Sequence, residues 1–365
     1  MIMIPVAKPF ASEEEAVHVR DVILSGMMAS GDVVHEFEQK FADYCGANFG
    51  VATTNGTTAL HAALLAAGVK PGEEVIVPAF TFFASASSVS MCGAKPVFAD
   101  ILPDTYNIDP KSIEEKITDK TKAVIGVHIF GQCCNAPAVA EICKKQGLAF
   151  IEDSAQAHGA SWNGVKTGAL GDMATFSFYP TKNMTTGEGG MVVTNDKALA
   201  DVTRVLCNHG QTEKYLHTML GYNYRMTNVH AAIGLEQLKR VDGFTAARQR
   251  NAKILSEGIT AEGLTVPYVA PEAVHVYHQY VLRVEDAFPM TRDELMQYLA
   301  DKGIGSAVHY PIPLHKQPYY AEENKDVVLP VAEDAAKRVL SLPVHPAVTE
   351  EECRYIVDVI NNIEL

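Results

Sequence analysis

Short apolar runs alternate with helix-length segments from residue 50 to about residue 240. The apolar runs predict strands at residues 74–77, 96–100, 123–129, 149–152, 173–178 and 191–194. Helices are predicted at residues 58–67, 136–146, 197–206 and 226–240, and Gly68 and Gly147 end the first two. Continuous apolar strands that alternate with helices are typical of an α/β fold, with a mostly parallel central sheet covered on both faces.

The pattern changes after residue 245. A charged helix at residues 246–257 precedes a strand-like run at 276–284, a helix at 292–302 and a final helix near 350–360. These elements predict a small α/β domain. No Gly/Ser-rich linker precedes it, so we expect close packing of a large domain (1–245, including an N-terminal segment) against a small C-terminal domain (246–365).

Composition narrows the classes of function. Of the 365 residues, 47% are hydrophobic, which is enough for a substantial core. The 30 Lys and Arg residues against 44 Asp and Glu residues give a net charge of −14, and no basic patch is visible, so neither nucleic acid nor an acidic membrane is an expected partner. Without a signal peptide or a membrane-length apolar run, a cytoplasmic location is expected.

Disulfides and metal sites are not expected. The seven cysteines are odd in number and irregular in spacing, and no C-x-x-C occurs. His275 and His278 are three residues apart on a predicted strand, where their side chains would point to opposite faces.

The candidate chemistry centres on Lys182. This lysine follows a predicted strand within residues 177–190, Ser-Phe-Tyr-Pro-Thr-Lys-Asn-Met-Thr-Thr-Gly-Glu-Gly-Gly, and Asp153 ends another predicted strand 29 residues earlier. A lysine that forms a Schiff base and a carboxylate that keeps a pyridine nitrogen protonated are the minimum equipment for pyridoxal phosphate chemistry. Ligands gather at the carboxyl ends of the strands in such sheets. The alternatives are a surface lysine and an aspartate that caps a turn.

Further residues supply candidate contacts to the same cofactor. Residues 53–58, Thr-Thr-Asn-Gly-Thr-Thr, lead into a predicted helix whose free N–H groups favour a phosphate, although an ordinary N-cap is the alternative. Ser177 is placed to add a hydroxyl to this phosphate site, and Gln156 to bond the ring hydroxyl. Phe82 follows a strand and is a candidate for stacking on the pyridine, unless it is an ordinary core aromatic.

Several motifs occur in a specific order. They lie at residues 56–61 (Gly-Thr-Thr-Ala-Leu-His), 75–78 (Val-Ile-Val-Pro), 152–159 (Glu-Asp-Ser-Ala-Gln-Ala-His-Gly), 177–190, 221–227 (Gly-Tyr-Asn-Tyr-Arg-Met-Thr), 309–311 (His-Tyr-Pro) and 313–315 (Pro-Leu-His). From about residue 4 to about residue 360, the chain resembles the nucleotide-sugar aminotransferases of the DegT/StrS family. The resemblance implies the aspartate aminotransferase fold, which is fold type I of the pyridoxal phosphate enzymes.

The same resemblance implies roles for individual residues. Lys182 is implied as the Schiff-base lysine, with Asp153 at the ring nitrogen and Gln156 at the ring hydroxyl. The other implied cofactor contacts are Gly56, Thr57 and Ser177 around the phosphate, Phe82 against the ring, and Asn223 from a facing subunit. The active site is therefore expected to be shared within a homodimer.

Substrate contacts are implied for polar residues in family regions that hold the sugar or the nucleotide. The candidates are Glu188, Arg225, His309, Tyr310 and His315. For Arg225 a surface ion pair is an alternative, and for Glu188 a turn acceptor. Tyr179 stands where many relatives carry His, which leaves its role open. Relatives that remove a sugar hydroxyl carry His at the lysine position, so Lys182 disfavours that branch.

The predicted function is transfer of an amino group, with L-glutamate as the implied donor, to a 3- or 4-keto sugar carried on a nucleotide. Lys182 would carry out the proton transfers, and Asp153 would maintain the ring as an electron sink. A keto-cyclitol or keto-sugar substrate without a nucleotide remains an alternative, as does a non-catalytic sensor. A nicotinamide dehydrogenase is disfavoured because no G-x-G-x-x-G follows the first strand.

Overall fold

The structure is a computed structural model and describes residues 3–363. In chain order the strands are β1 (Phe49–Thr53), β2 (Glu74–Pro78), β3 (Lys95–Ala99), β4 (Thr121–Val127), β5 (Ala149–Asp153), β6 (Ser161–Trp162), β7 (Val165–Lys166), β8 (Met173–Ser177), β9 (Gly190–Thr194), β10 (Gln211–Glu213), β11 (Leu216–His217), β12 (Leu264–Thr265), β13 (Ala273–Val274), β14 (Tyr280–Val284) and β15 (Val339–Leu342).

The α-helices are α1 (Glu13–Ser25), α2 (Asp32–Cys45), α3 (Gly56–Ala66), α4 (Ala84–Met91), α5 (Pro110–Lys116), α6 (Ala136–Gln146), α7 (Lys197–Cys207), α8 (Asn228–Leu238), α9 (Val241–Gly258), α10 (Arg292–Asp301), α11 (Pro318–Ala321), α12 (Pro330–Arg338) and α13 (Glu350–Asn361). Short 3₁₀ turns lie at Ile129–Gly131 and Leu314–Lys316. None of the helices in the described part of the chain combines the length and the apolar character that a membrane span requires.

The central sheet has seven strands in the order β1-β9-β8-β5-β4-β2-β3. The pairs β2–β3, β2–β4, β4–β5 and β5–β8 are parallel, whereas β9 runs antiparallel to both β1 and β8. The connection from β8 to β9 contains no helix to cross over the sheet, so β9 returns antiparallel. The predicted mostly parallel α/β sheet is confirmed.

Strand direction brings several chain segments to one edge of this sheet. β5 ends there at Asp153 and β8 ends there at Ser177. Gly190, the first residue of β9, pairs with Ser177 on one side and with Thr53, the last residue of β1, on the other. The start of α3, which follows β1, therefore lies beside the chain segment that carries Lys182.

A second, smaller sheet lies in the C-terminal part of the chain. β14 pairs antiparallel with β12 and β15, and an apolar core joins this sheet to residues of α9, α10 and α13. Ile4 belongs to this core: its N–H donates to the Gly303 carbonyl at 2.8 Å, and its carbonyl accepts from Gly305 N at 2.8 Å. The N-terminal segment, predicted with the large domain, thus packs against the C-terminal elements. The boundary predicted at residue 245 falls inside α9, which runs through it without a break.

One predicted strand was too long. Residues 276–284 were predicted as a strand, but only Tyr280–Val284 form one. Tyr277 has φ 46°, a left-handed backbone conformation that no strand contains. Several elements were not predicted, among them α4, α5 and α12, and near the N-terminus α1, α2 and β1, although α2 buries Phe37 and Phe41 at helical spacing.

Helices α2 and α8 approach each other closely at a glycine. A Cβ added at Gly234 would lie 2.6 Å from Cζ of Phe37. The Phe37 ring is fully buried, with ring centroids 5.9 Å from Phe41 and 5.3 Å from Phe178, so it has little room to move. Close packing at this point requires glycine.

We predict that Gly234→Ala lowers the free energy of unfolding by about 1–3 kcal/mol, because the added methyl group overpacks the core. Urea denaturation followed by circular dichroism measures the change. Gly243→Ala in α9 is a matched control: an added Cβ there meets nothing within 4 Å, and helix propensity should make this variant more stable by up to about 1 kcal/mol. Equal stability of the two variants would contradict the packing argument.

Candidate active site

A cavity of about 810 Å³ opens at the sheet edge where β5 and β8 end. Its wall includes the start of α3, residues that follow β2 and β8, and residues from the C-terminal part of the chain. Seven residues predicted to bind a cofactor line it together, namely Gly56, Thr57, Phe82, Asp153, Gln156, Ser177 and Lys182. Residues far apart in the chain thus share one concave surface.

Asp153 is held as an oriented acceptor. Its side chain is 5% exposed, Oδ2 accepts a hydrogen bond from Ser85 Oγ at 2.7 Å, and Oδ1 accepts from Ala155 N at 3.2 Å. These two hydrogen bonds fix the orientation of the carboxylate. Ser85, in the first turn of α4, was not predicted as part of the site, because nothing in a Ser-rich helix marks one serine for this contact.

Lys182 lies in the turn that follows β8. Its N–H donates to the Tyr179 carbonyl at 2.9 Å, and its partly buried side chain lines the cavity. Burial lowers the pKa of the Lys182 amine to about 8, while the negative charge of Asp153 acts in the opposite direction. The amine is therefore neutral, and hence nucleophilic, in a larger fraction of molecules near neutral pH than an ordinary lysine would be.

The start of α3 forms another part of the cavity wall, beside the end of β8. Asn55 caps the helix, its side chain accepting from Thr58 N at 2.9 Å. A Cβ on Gly56 would come within 2.8 Å of Cβ of Ser177, so only glycine permits this approach of helix and strand. Gly56, Thr57 and Ser177 line the cavity beside the positive end of the helix dipole, an arrangement suited to a phosphate.

Gln156 links the two parts of the chain. Its Oε1 accepts from Phe130 N at 2.7 Å, and its Nε2 donates to the Tyr310 hydroxyl at 3.0 Å. Phe130 has φ 59°, a strained backbone that turns its N–H toward Gln156. Burial and the charge of Asp153 raise the pKa of Tyr310, so its phenol stays protonated.

The predicted substrate residues divide into two groups. Glu188, His309 and Tyr310 line the cavity. Arg225 does not line it and donates instead to Asn208 Oδ1 at 2.6 Å, and Asn223 is exposed outside the cavity. Asn223 was expected to act from a facing subunit, so its contact with the phosphate stays a prediction. The contact of Arg225 with a substrate also stays a prediction.

His315, another predicted substrate residue, does not line the cavity. Its side chain is fully buried, and Nε2 is 3.0 Å from Glu333 Oε1 rather than in the cavity. The preceding residue is anchored to the large core, because Leu314 N donates to the Ala79 carbonyl at 2.7 Å. This anchor turns His315 into the interior, and its contact with the substrate stays a prediction.

Two cavity residues, His278 and Gln279, were missed. They fall in the part of residues 276–284 that was predicted as strand but is a loop. His275 and His278 were predicted to point to opposite faces of a strand. This prediction is wrong because neither residue lies on a strand. Within residues 3–363, no group of three or more His, Cys, Asp or Glu side chains could hold a metal ion, and all seven cysteines are buried and free.

Glu152, the residue before Asp153 in β5, is a buried carboxylate that is hydrogen-bonded to neighbouring loops. Glu152 is fully buried and accepts four hydrogen bonds, from His128 Nε2 at 2.9 Å, Gly168 N at 3.0 Å, Leu170 N at 2.9 Å and Gly171 N at 2.8 Å. Glu152 thus links two loops, at His128 and at residues 168–171, to β5. These links restrict the movement of the strand end that carries Asp153.

Comparison with known proteins gives a consistent answer. Residues 9–361 match the DegT/DnrJ/EryC1/StrS aminotransferase family. The chain is 45% identical over 346 residues to the pleiotropic regulatory protein of Geobacillus stearothermophilus, with 93% of this chain and 91% of that protein covered. It is 42% identical over 365 residues to GDP-perosamine synthase of Caulobacter vibrioides, with 99% and 98% covered.

A solved structure agrees with these matches. The crystal structure of S. venezuelae DesV in complex with a ketimine intermediate superimposes with a TM-score of 0.95 at 36% identity, covering 99% of this chain and 98% of that one. The family resemblance and the fold predicted from the sequence motifs are confirmed.

We predict that Glu152→Gln lowers the free energy of unfolding by about 2–3 kcal/mol, because an amide N–H₂ then faces buried backbone donors and the charged acceptor is lost. Chemical denaturation measures the effect. Glu141→Gln, which removes an exposed carboxylate from α6, should change stability by less than about 0.5 kcal/mol. If both variants unfold alike, the network does not stabilise the fold.

Proposed function

The chain belongs to the DegT/DnrJ/EryC1/StrS aminotransferase family and is a sugar aminotransferase, and we propose that it uses pyridoxal phosphate to transfer an amino group from L-glutamate to a 3- or 4-keto sugar carried on a nucleotide. The observation that carries the proposal is the presence of Lys182 and Asp153 in one cavity. The name of the Caulobacter relative supports a nucleotide-linked sugar, and the DesV complex supports an amino-transfer reaction.

The residues present fit pyridoxal phosphate. The cavity combines a partly neutral amine, an oriented carboxylate and a helix N-terminus at which Gly56 leaves room that a Cβ would fill. Glu188 is an acidic lining residue of the same cavity, and among residues 3–363 Lys182 is the only Lys or Arg that lines it. The Lys182 amine suits the aldehyde of the cofactor, and the Asp153 carboxylate suits its basic ring nitrogen. The N-terminus of α3 suits its phosphate.

Each residue then has a defined task. When bound, the cofactor supplies an electron sink for the carbon that carries the amino group. Lys182 Nζ would bond to the cofactor aldehyde with loss of water and, once free again, would move a proton at the reacting carbon. Asp153 would hold a proton on the ring nitrogen, and Ser85 keeps its carboxylate oriented. Gly56, Thr57 and Ser177 would hold the phosphate, Gln156 the ring hydroxyl, and Phe82, which is 58% exposed, one ring face.

The proposed enzyme is a homodimer with shared active sites. Asn223 is exposed and does not line the cavity of its own chain, which fits a contact with the phosphate in the neighbouring subunit. Arg225, two residues later, is then a candidate for contact with a nucleotide diphosphate in that same cavity. His309 and Tyr310 contribute from the chain that holds the cofactor.

We predict that Lys182→Ala binds pyridoxal phosphate without a covalent bond and loses amination activity by at least about 10²–10⁴-fold, because no other lining residue replaces the proton-transferring amine. The measurement is an amination screen with L-glutamate over 3-keto and 4-keto nucleotide sugars. Lys197→Ala, which removes an exposed lysine on α7, is the matched control and should retain full activity. Appreciable turnover by Lys182→Ala would refute the role of Lys182.

The same screen separates the other candidate functions. It includes a keto-cyclitol and keto-sugars without a nucleotide, and UDP, GDP and dTDP serve as competitors. Inhibition by one nucleotide supports the proposed substrate class. Cofactor-loaded protein that aminates none of the substrates would favour a sensor.

Attachment of the cofactor should depend on pH in a defined direction. Only the neutral Lys182 amine attacks the aldehyde, and its pKa of about 8 means that the attachment rate rises with pH and levels off above about 8. Borohydride trapping and mass spectrometry between pH 6 and pH 10 measure this rate. In Asp153→Asn the midpoint should move to lower pH, because the carboxylate raises the amine pKa. A midpoint near the ordinary lysine value of 10.5 would contradict the burial argument.

A further inference from the structure

His278 presents a defined acceptor to the cavity. Its Nδ1 is 3.3 Å from Asn183 Oδ1, and Asn183 Nδ2 donates to the Val276 carbonyl at 3.1 Å. Because the amide N–H₂ is used by Val276, the atom that faces His278 is an oxygen, which only accepts hydrogen bonds. The hydrogen of the neutral imidazole therefore resides on Nδ1, and Nε2 carries a lone pair.

The imidazole remains neutral in this environment. Burial lowers the pKa of His278 well below its ordinary value, and the nearby charges of Lys182 and Arg248, with the rings of His309 and His158, act in the same direction. The ring lines the cavity, and its Nε2 makes no hydrogen bond with any residue in the range 3–363. Because no protein group donates to His278 Nε2, a hydrogen-bond donor on a bound ligand can occupy this position.

The loop that carries His278 is held by a buried arginine and contains an unfavourable backbone conformation. Arg248 is 6% exposed, and one guanidinium nitrogen donates to the carbonyls of Tyr277 at 3.1 Å and His278 at 3.3 Å. Within the described residues, Arg248 forms no ion pair with a carboxylate, which is unusual for a buried arginine. Tyr277 has φ 46°, an unfavourable conformation for a bulky residue. Such outliers persist where the surrounding structure enforces a geometry, and they concentrate at functional sites.

We propose that His278 is a specificity-determining residue whose Nε2 accepts a hydrogen bond from a hydroxyl group of the keto sugar. The proposal rests on the proposed function, which places a polyhydroxylated substrate in this cavity. Asn183, next to Lys182 in the chain, is a positioning residue that fixes the tautomer of His278. L-Glutamate carries no hydroxyl, and its amino group is the group that is transferred, so we assign the contact to the sugar half of the reaction.

The kinetic test uses the keto-sugar nucleotide with the highest kcat/KM in the screen, together with analogues that each lack one hydroxyl. For the native enzyme, removal of the contacted hydroxyl should lower kcat/KM by about 10–100-fold, the range for a buried hydrogen bond. In His278→Leu the same removal should cost less than about threefold. His278→Gln, which retains an amide oxygen as an acceptor, should recover part of the discrimination.

The glutamate half-reaction, followed by absorbance in a single turnover, separates the inference from the function on which it rests. It should change less than about threefold in His278→Leu. If the native protein neither loads the cofactor nor reacts with glutamate, the proposed function fails. If both half-reactions slow equally, His278 acts on Lys182 and the inference is overturned. Equal discrimination among the analogues by native enzyme and His278→Leu also overturns it.

A spectroscopic measurement tests the tautomer without any turnover. Nitrogen-15 spectra of histidine-labelled, cofactor-free protein should show His278 with a protonated Nδ1 and an unprotonated Nε2, with the signal assigned by its loss in His278→Gln. In Asn183→Leu the two tautomers should mix, while circular dichroism confirms that the variant folds. A native signal with the proton on Nε2 would remove the acceptor and the proposal with it.

Discussion

The candidate active site depends on the place at which three strands and one helix meet. β9 runs antiparallel between β1 and β8, so the ends of β1 and β8 lie side by side at the edge where β5 also ends. This arrangement puts the N-terminus of α3, the turn that carries Lys182, and Asp153 around one cavity. Gly56 makes the approach possible, since any side chain there would collide with Ser177. Without this constraint the amine and the carboxylate would have no common ligand.

Two buried charged residues support the cavity in different ways. Glu152 is saturated by four hydrogen bonds and anchors loops beneath β5, so its burial costs little. Arg248 is buried with backbone carbonyls as its hydrogen-bond acceptors, which is a poorer solvation of its charge. The first therefore stabilises the fold, whereas the second holds a strained loop at the cavity wall. The burial of Arg248 is therefore better explained by a role in shaping the cavity than by a contribution to stability.

The lining of the cavity was predicted best where a chemically distinctive residue lies at or just after the end of a strand. Lys182 and Asp153 were identified because a strand, a turn and a chemically distinctive residue are adjacent in the chain, and parallel strands end at the same edge. Ser85 escaped prediction because its contact with Asp153 joins residues 68 positions apart. His278 escaped because a strained loop continues the apolar pattern of the strand that follows.

The sequence by itself determined the α/β alternation, the strand ends and the choice of Lys182 as the candidate lysine, because these depend on residues that are neighbours in the chain. Only the tertiary structure decided which side chains complete the cavity: it joined Asn183 to a histidine 95 residues away and turned His315 into the core. The physical reason is that hydrogen bonds and burial between distant segments depend on strand order and domain packing. Local periodicity carries no information about either.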